Sequence, residues 1–114
     1  MNLKKVNAAK TARQVKAFLR EDYPILLARA GVSHEFLESE EEGTEFLNQV
    51  KEAYFKCLPL HKQIISLRLK RTTDYNIAKE IGYEITQTRQ FKIAAYVEFA
   101  ERLAALSDLD LRVW

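Results

Sequence analysis

From Val15 to Leu106 apolar residues return every three or four positions, and strand-like alternation is hard to find. That spacing matches the 3.6-residue turn of an α-helix, not the two-residue repeat of a strand. Only three glycines and two prolines interrupt the 114 residues, and Ala, Leu, Lys, Glu, Arg and Gln, all good helix formers, dominate. An all-α chain is expected. Its length suits one domain with a single real core. With 47% apolar and 30% charged residues the balance is that of a globular chain, not a disordered one.

Local signals divide the chain. Thr11 can cap a helix whose apolar face is Val15, Phe18, Leu19 and Tyr23. Pro24 disturbs it, because the ring disfavours helix at the preceding residue. "ILLARAG" then continues as a second helix or a kinked extension, stopped by Gly31. Ser33 can cap one short turn, and "SEEEG" reads as a solvated loop bending at Gly43. Residues 1–43 thus read as a basic helical hairpin with an acidic loop. Residues 44–114 read as a connector helix, a helix-turn-helix and a long C-terminal helix, the whole forming one unit.

Thr44 caps the connector, whose stripe is Phe46, Leu47, Val50, Ala53, Tyr54 and Cys57. Pro59 suits the first position of the next helix, where its missing N–H costs nothing. There Leu60, Ile64, Ile65, Leu67 and Leu69 point inward, and Lys70 and Arg71 close the helix at its negative end. Thr73 caps a short helix with Asp74 in its first turn. A long helix runs from about Glu84 to Leu106, followed by the tail "SDLDLRVW".

The stretch "DYNIAKEIGYEITQTRQF" (Asp74 to Phe91) carries the most information. Two helices cross closely only where a small side chain sits, which Ala78 provides, and a tight turn needs positive φ, which Gly82 adopts freely. Ile77 and Ile81 face the preceding helix, Tyr83 plugs the turn and Phe91 anchors the second helix. Thr88 stands where Val or Ile is usual. This is the pattern of a helix-turn-helix, although a helical hairpin without DNA function shares it. The second helix of such a unit lies in the major groove. Ile85, Thr86, Gln87, Arg89 and Gln90 would then meet base edges, with Arg suited to guanine and Gln to adenine. Lys62, Lys70, Arg71, Lys79 and Lys92 are candidates for phosphate. Glu84, at the start of this helix, places an acid beside the expected phosphates.

Charge is distributed unevenly along the chain. Residues 1–33 carry seven Lys/Arg against two acids, residues 34–58 two against seven, and residues 59–97 seven against three. Two basic segments flanking an acidic one fit a polyanion reached by part of the surface.

"LPLHKQIISLRLKRTTDYNIAKEIGY" resembles the promoter-reading fourth region of bacterial sigma factors. The chain as a whole resembles the ArpU/RinA-type phage and prophage transcriptional regulators. "TARQVKAFLREDY" is similar to their Thr-x-x-x-Val-Lys-x-Phe-Leu-x-x-Tyr segment, and the spacing from Gly82 to "FAE" also fits. The likeness covers about two thirds of the chain and skips the acidic middle. It implies an activator of late phage operons that binds double-stranded DNA near promoters in a bacterial host. It also implies groove-facing roles for Thr86, Gln87, Arg89 and Gln90 and a phosphate contact for Lys92. The family is richer in Arg and Lys along this helix, and often has Ser where Glu84 stands.

Other chemistries find little footing. Cys57 and His61 lie four apart, but Pro59 separates them and Cys57 completes an apolar stripe, which favours a structural cysteine over a nucleophile. His34 is remote, no calcium-loop spacing occurs, and three scattered glycines make no phosphate cradle. No enzyme, metal, cofactor or small-molecule substrate is expected. One cysteine excludes an internal disulfide and suits a reducing cytoplasm. No apolar run reaches about 18 residues, so no membrane span is expected, and the start lacks the apolar core of a secretion signal.

The long last helix carries more apolar surface than one narrow face needs. Either the N-terminal helices cover it or a homodimer does, which could read two half-sites. Two functions remain open: a sequence-specific DNA-binding regulator, and a protein-binding helix-turn-helix module for RNA polymerase or a phage assembly protein.

Overall fold

The computed structural model describes residues 5–114, so Lys4, one of the cations of the N-terminal basic segment, lies outside them. The described residues form six α-helices: α1 (Ala8–Ala17), α2 (Tyr23–Ala30), α3 (Glu45–Lys56), α4 (Pro59–Leu69), α5 (Asp74–Ile81) and α6 (Ile85–Leu106). A π-helical stretch, Phe18–Asp22, joins α1 to α2, and one 3-10 turn, Phe36–Glu38, precedes α3. There is no strand among the described residues. The fold is all-α.

α6 is the axis of the molecule, 22 residues and about 33 Å long at 1.5 Å per residue. Its Ala95, Phe99, Ala100 and Leu103 are fully buried. α1, α3, α4 and α5 all pack against it, so these residues are covered by the chain's own helices, while Ile85, Ala94 and Ala105 stay exposed. The two buried alanines let neighbouring backbones approach, and Phe99 and Leu103 fill the space between them.

The N-terminal third departs from the hairpin expected for residues 1–43. Ala17, Asp22 and Tyr23 all keep right-handed helical dihedrals, so α1, the π stretch and α2 form one continuous rod. Pro24 does not drive Tyr23 out of the helix. The Tyr23 N–H instead donates to the Phe18 carbonyl, five residues back, and the widened turn accommodates the ring. Phe18, Leu19, Tyr23 and Leu27 are all buried along this rod, and Gly31, at φ 69°, ends it.

Three expected roles change. Thr11 is no cap: Asn7 caps α1 by accepting from the Lys10 N–H at 3.0 Å. Thr11 is buried, and its hydroxyl accepts from the Val113 N–H at 2.9 Å, while the Asn7 N–H donates to the Val113 carbonyl at 2.6 Å. The C-terminal tail is thereby pinned along the start of α1, with Leu111 buried beneath it. Gly43 makes no left-handed bend. A Cβ there would stand 3.0 Å from the Leu47 side chain and 3.2 Å from Phe36, so glycine permits a close approach. The Ser33 hydroxyl donates to Glu41 at 2.8 Å, away from the 3-10 turn.

The later elements follow expectation. Thr44 accepts from the Leu47 N–H and Thr73 from the Asn76 N–H, both at 3.2 Å. Leu47, Val50, Ala53, Tyr54 and Cys57 of the connector stripe are buried, as are Ile64 and Ile65 on α4.

Candidate functional site

α5 and α6 are joined by Gly82, Tyr83 and Glu84. Gly82 is left-handed at φ 77°, and both its N–H and that of Tyr83 donate to the Ala78 carbonyl, at 2.9 and 3.1 Å. That pair of bonds satisfies the end of α5 and re-aims the chain. Ala78 and Ile77 are buried between the helices. Tyr83 packs edge-on against Phe91 with ring centres 4.8 Å apart, which fixes the second helix against the turn.

On α6 the first turns split cleanly. Thr88 is buried and its hydroxyl donates to the Glu84 carbonyl at 2.8 Å, so the polar group is satisfied where an aliphatic side chain is usual. Ile85, Thr86, Gln87, Arg89 and Gln90 are exposed. Glu84 occupies the cap position, but its side chain makes no capping hydrogen bond.

Asp74 governs this end of the molecule. Its carboxylate accepts from Lys92 Nζ at 3.0 Å and from Arg89 Nε at 3.4 Å, and lies 3.9 Å from Arg68 Nη1. Partial burial alone would raise its pKa, but Lys92, Arg89 and Arg68 outweigh that and hold it below the usual aspartate range. Lys92, expected at phosphate, is therefore turned inward, with 19% of its side chain exposed. Arg89 keeps 60% of its side chain exposed. Asp74 read in sequence only as a favourable first-turn acid; its partners lie 15 and 18 residues away, across the turn.

The other cations scatter. Lys79 on α5 is exposed, 4.6 Å above the Tyr75 ring. Arg71 is exposed and follows α4 in a left-handed conformation at φ 61°, its N–H donating to the Arg68 carbonyl. Lys70 reaches Glu38 at 3.7 Å. Lys62 sits over Phe55, on the first turn of α4. The neighbouring His61 meets Glu98, 13 residues along α6 from Ile85 and hence about 20 Å from its tip. The structure therefore leaves Arg89 and Lys79 exposed on the two helices of the turn, places Arg71 just before α5 and facing a separate cleft, and leaves Lys62 at the opposite end.

Cys57 is buried, its thiol donating to the Ala53 carbonyl at 3.3 Å. Burial, and then the charge of Glu98, push its pKa up to about 12. His61 Nδ1 is 2.8 Å from Glu98, which also accepts from the Leu58 N–H and from Arg102. Burial raises the Glu98 pKa, and these three partners bring it below the usual range. No cluster of three metal-ligating side chains occurs among the described residues, and no helix there is long and apolar enough to cross a membrane.

Comparison with protein-family models, with curated proteins and with solved structures finds no match to this chain.

Proposed function

We propose that this chain is a sequence-specific, double-stranded-DNA-binding regulator of phage or prophage late genes, like the ArpU/RinA-type proteins it resembles. α5 and α6 act as a sigma-like helix-turn-helix, and the first turns of α6 enter the major groove. One observation carries the reading. Ile85, Thr86, Gln87, Arg89 and Gln90 stand exposed together at the end of a helix that further along buries Ala95, Tyr96, Phe99, Ala100 and Leu103 in the core. Arg89 grips guanine by leaving Asp74, Gln87 and Gln90 pair with adenine, and Ile85 meets a thymine methyl. Lys79 and Arg71 hold phosphates. With so few free cations a single copy binds weakly and loses affinity steeply as salt rises.

Selection of bound duplexes from a random pool tests this directly. An enriched motif is expected, and a palindrome would show that two copies bind. Arg89→Ala should weaken the selected duplex by roughly 5- to 150-fold, matching one lost bidentate contact of about 1–3 kcal/mol. A pool with no enrichment would sink the reading.

The exposed apolar side chains at the tip, Ile85 at 36% and Tyr83 at 45%, favour a second reading as a protein-binding module for RNA polymerase or a phage assembly protein. In that case Ile85→Asp abolishes the partner contact, and no duplex is shifted even in dilute salt.

A further inference from the structure

Away from the α6 tip, a cavity of about 460 Å³ opens between the α1–α2 rod, the end of α4 and the middle of α6. Four cations line it: Lys16 and Arg20 from the rod, Arg68 and Arg71 from the end of α4. No carboxylate lines it among the described residues. Asp74, the carboxylate nearest Arg68, reaches it only at 3.9 Å. Leu19, Leu27 and Leu69 supply apolar wall, and Tyr23 and Tyr96 stand beside them.

Two donors in this lining have no hydrogen-bond partner among the described residues: the Tyr23 hydroxyl and Arg68 Nε, both buried. Tyr23 is 2% exposed as a whole residue. Buried polar groups in folded proteins are nearly always satisfied, so each of these two, on residues of the cleft wall, needs a partner that the described residues do not supply. Each can be met by an acceptor. Burial also raises the Tyr23 pKa, which keeps the phenol protonated and donating. Arg68 has Asp74 at its far side, but Lys16, Arg20 and Arg71 make no ion pair among the described residues, and an anion relieves the repulsion among them. Guanidinium groups match phosphate oxygens two at a time.

We propose that this cleft binds a small organic phosphate. The head group lies among Arg20, Arg68, Arg71 and Lys16, Arg68 turning its Nε to meet it, and accepts from the Tyr23 hydroxyl. The organic body lies along Leu19, Leu27 and Leu69. The volume is within the roughly 300–1,000 Å³ common to small-molecule sites and exceeds what a bare phosphate fills. The depth at which Tyr23 and Arg68 Nε sit favours a discrete molecule over the backbone of a polymer. The site shares Arg71 with the proposed phosphate contacts but uses no residue of the α6 tip.

Calorimetric titration of the full chain tests the proposal, with phenyl phosphate, inorganic phosphate and a short duplex as probes. Phenyl phosphate should bind saturably at one site, at least tenfold tighter than inorganic phosphate. The double variant Arg20→Ala/Arg71→Gly should weaken it at least tenfold; Arg20 is exposed and Arg71 has a glycine-like backbone, so the variant should fold. Tyr23→Phe removes the orphaned hydroxyl. It should raise the melting temperature of the free protein while weakening phenyl phosphate about fivefold, a combination that a purely structural tyrosine would not give. Equal affinity for the two phosphates would overturn the proposal, as would binding untouched by the double variant. Displacement of phenyl phosphate by the duplex would assign the cleft to a nucleic-acid path instead.

Discussion

Arg71 and Gly82 share the left-handed region of backbone space, at φ 61° and 77°. For glycine that region is free; for a residue with a Cβ it costs roughly 1–2 kcal/mol. A Cβ built on Gly82 has nothing within 4 Å, so an alanine there meets only the backbone penalty. Gly82→Ala should lower stability by about 1 kcal/mol and Arg71→Gly should raise it by somewhat less, since glycine gains entropy in the unfolded chain. Urea denaturation with an unchanged slope would read both. A neutral Gly82→Ala would mean that the turn tolerates another conformation. Gly82 could be placed in sequence because glycine is the usual sign of positive φ. Arg71 could not, because an arginine after a helix looks like a charge facing the dipole. Only the bonds from Arg71 to Arg68 and from Thr72 to Leu67 show that it occupies a glycine position.

Elements whose ends are set by their own side chains were readable in advance. Thr44, Pro59, Thr73 and Gly82 each act within three or four residues, and they delimit α3, α4 and α5 as expected. The start of the chain obeys longer-range demands. Thr11 looks like a cap, yet its hydroxyl serves Val113, 102 residues away, and no local pattern carries that information. Pro24 looks like a break, but a π turn lets Phe18, Leu19, Tyr23 and Leu27 share one buried face without reversing the chain. α6 shows the opposite defect, a good helix with a poor start. Glu84 caps without a side-chain bond, so Glu84→Ser should stabilise the protein by about 1 kcal/mol and raise the melting temperature by a few degrees. The same change removes an acid beside the proposed phosphates, so duplex affinity should rise with stability. A rise in stability with unchanged duplex affinity would place Glu84 away from any nucleic acid.

Across the whole molecule, Asp74 ties three elements together: it opens α5, takes Lys92 and Arg89 from α6, and lies near Arg68 of α4. These contacts bring α5 to rest on α6 and also hold Arg89, the cation proposed to read a base. On that proposal Asp74 sets stability against function. Its folded pKa is below the ordinary aspartate value of about 4, so its contribution is fully present above that value. It is lost as pH falls through the lower folded pKa. Glu98, also depressed, adds to the same acid loss. Asp74→Asn should cost about 1 kcal/mol at pH 7, a figure kept small by solvent screening of the partly exposed pairs. The gap from the parent should shrink as pH drops below about 4 and close once pH passes the lower folded pKa, where the parent's own carboxylate is protonated. Chemical denaturation at a series of pH values measures that gap, and a gap independent of pH would show that the loss is one of packing rather than charge. The released Arg89 should at the same time bind a selected duplex more tightly. If stability falls while duplex affinity also falls, Asp74 orients Arg89 for the groove instead of restraining it.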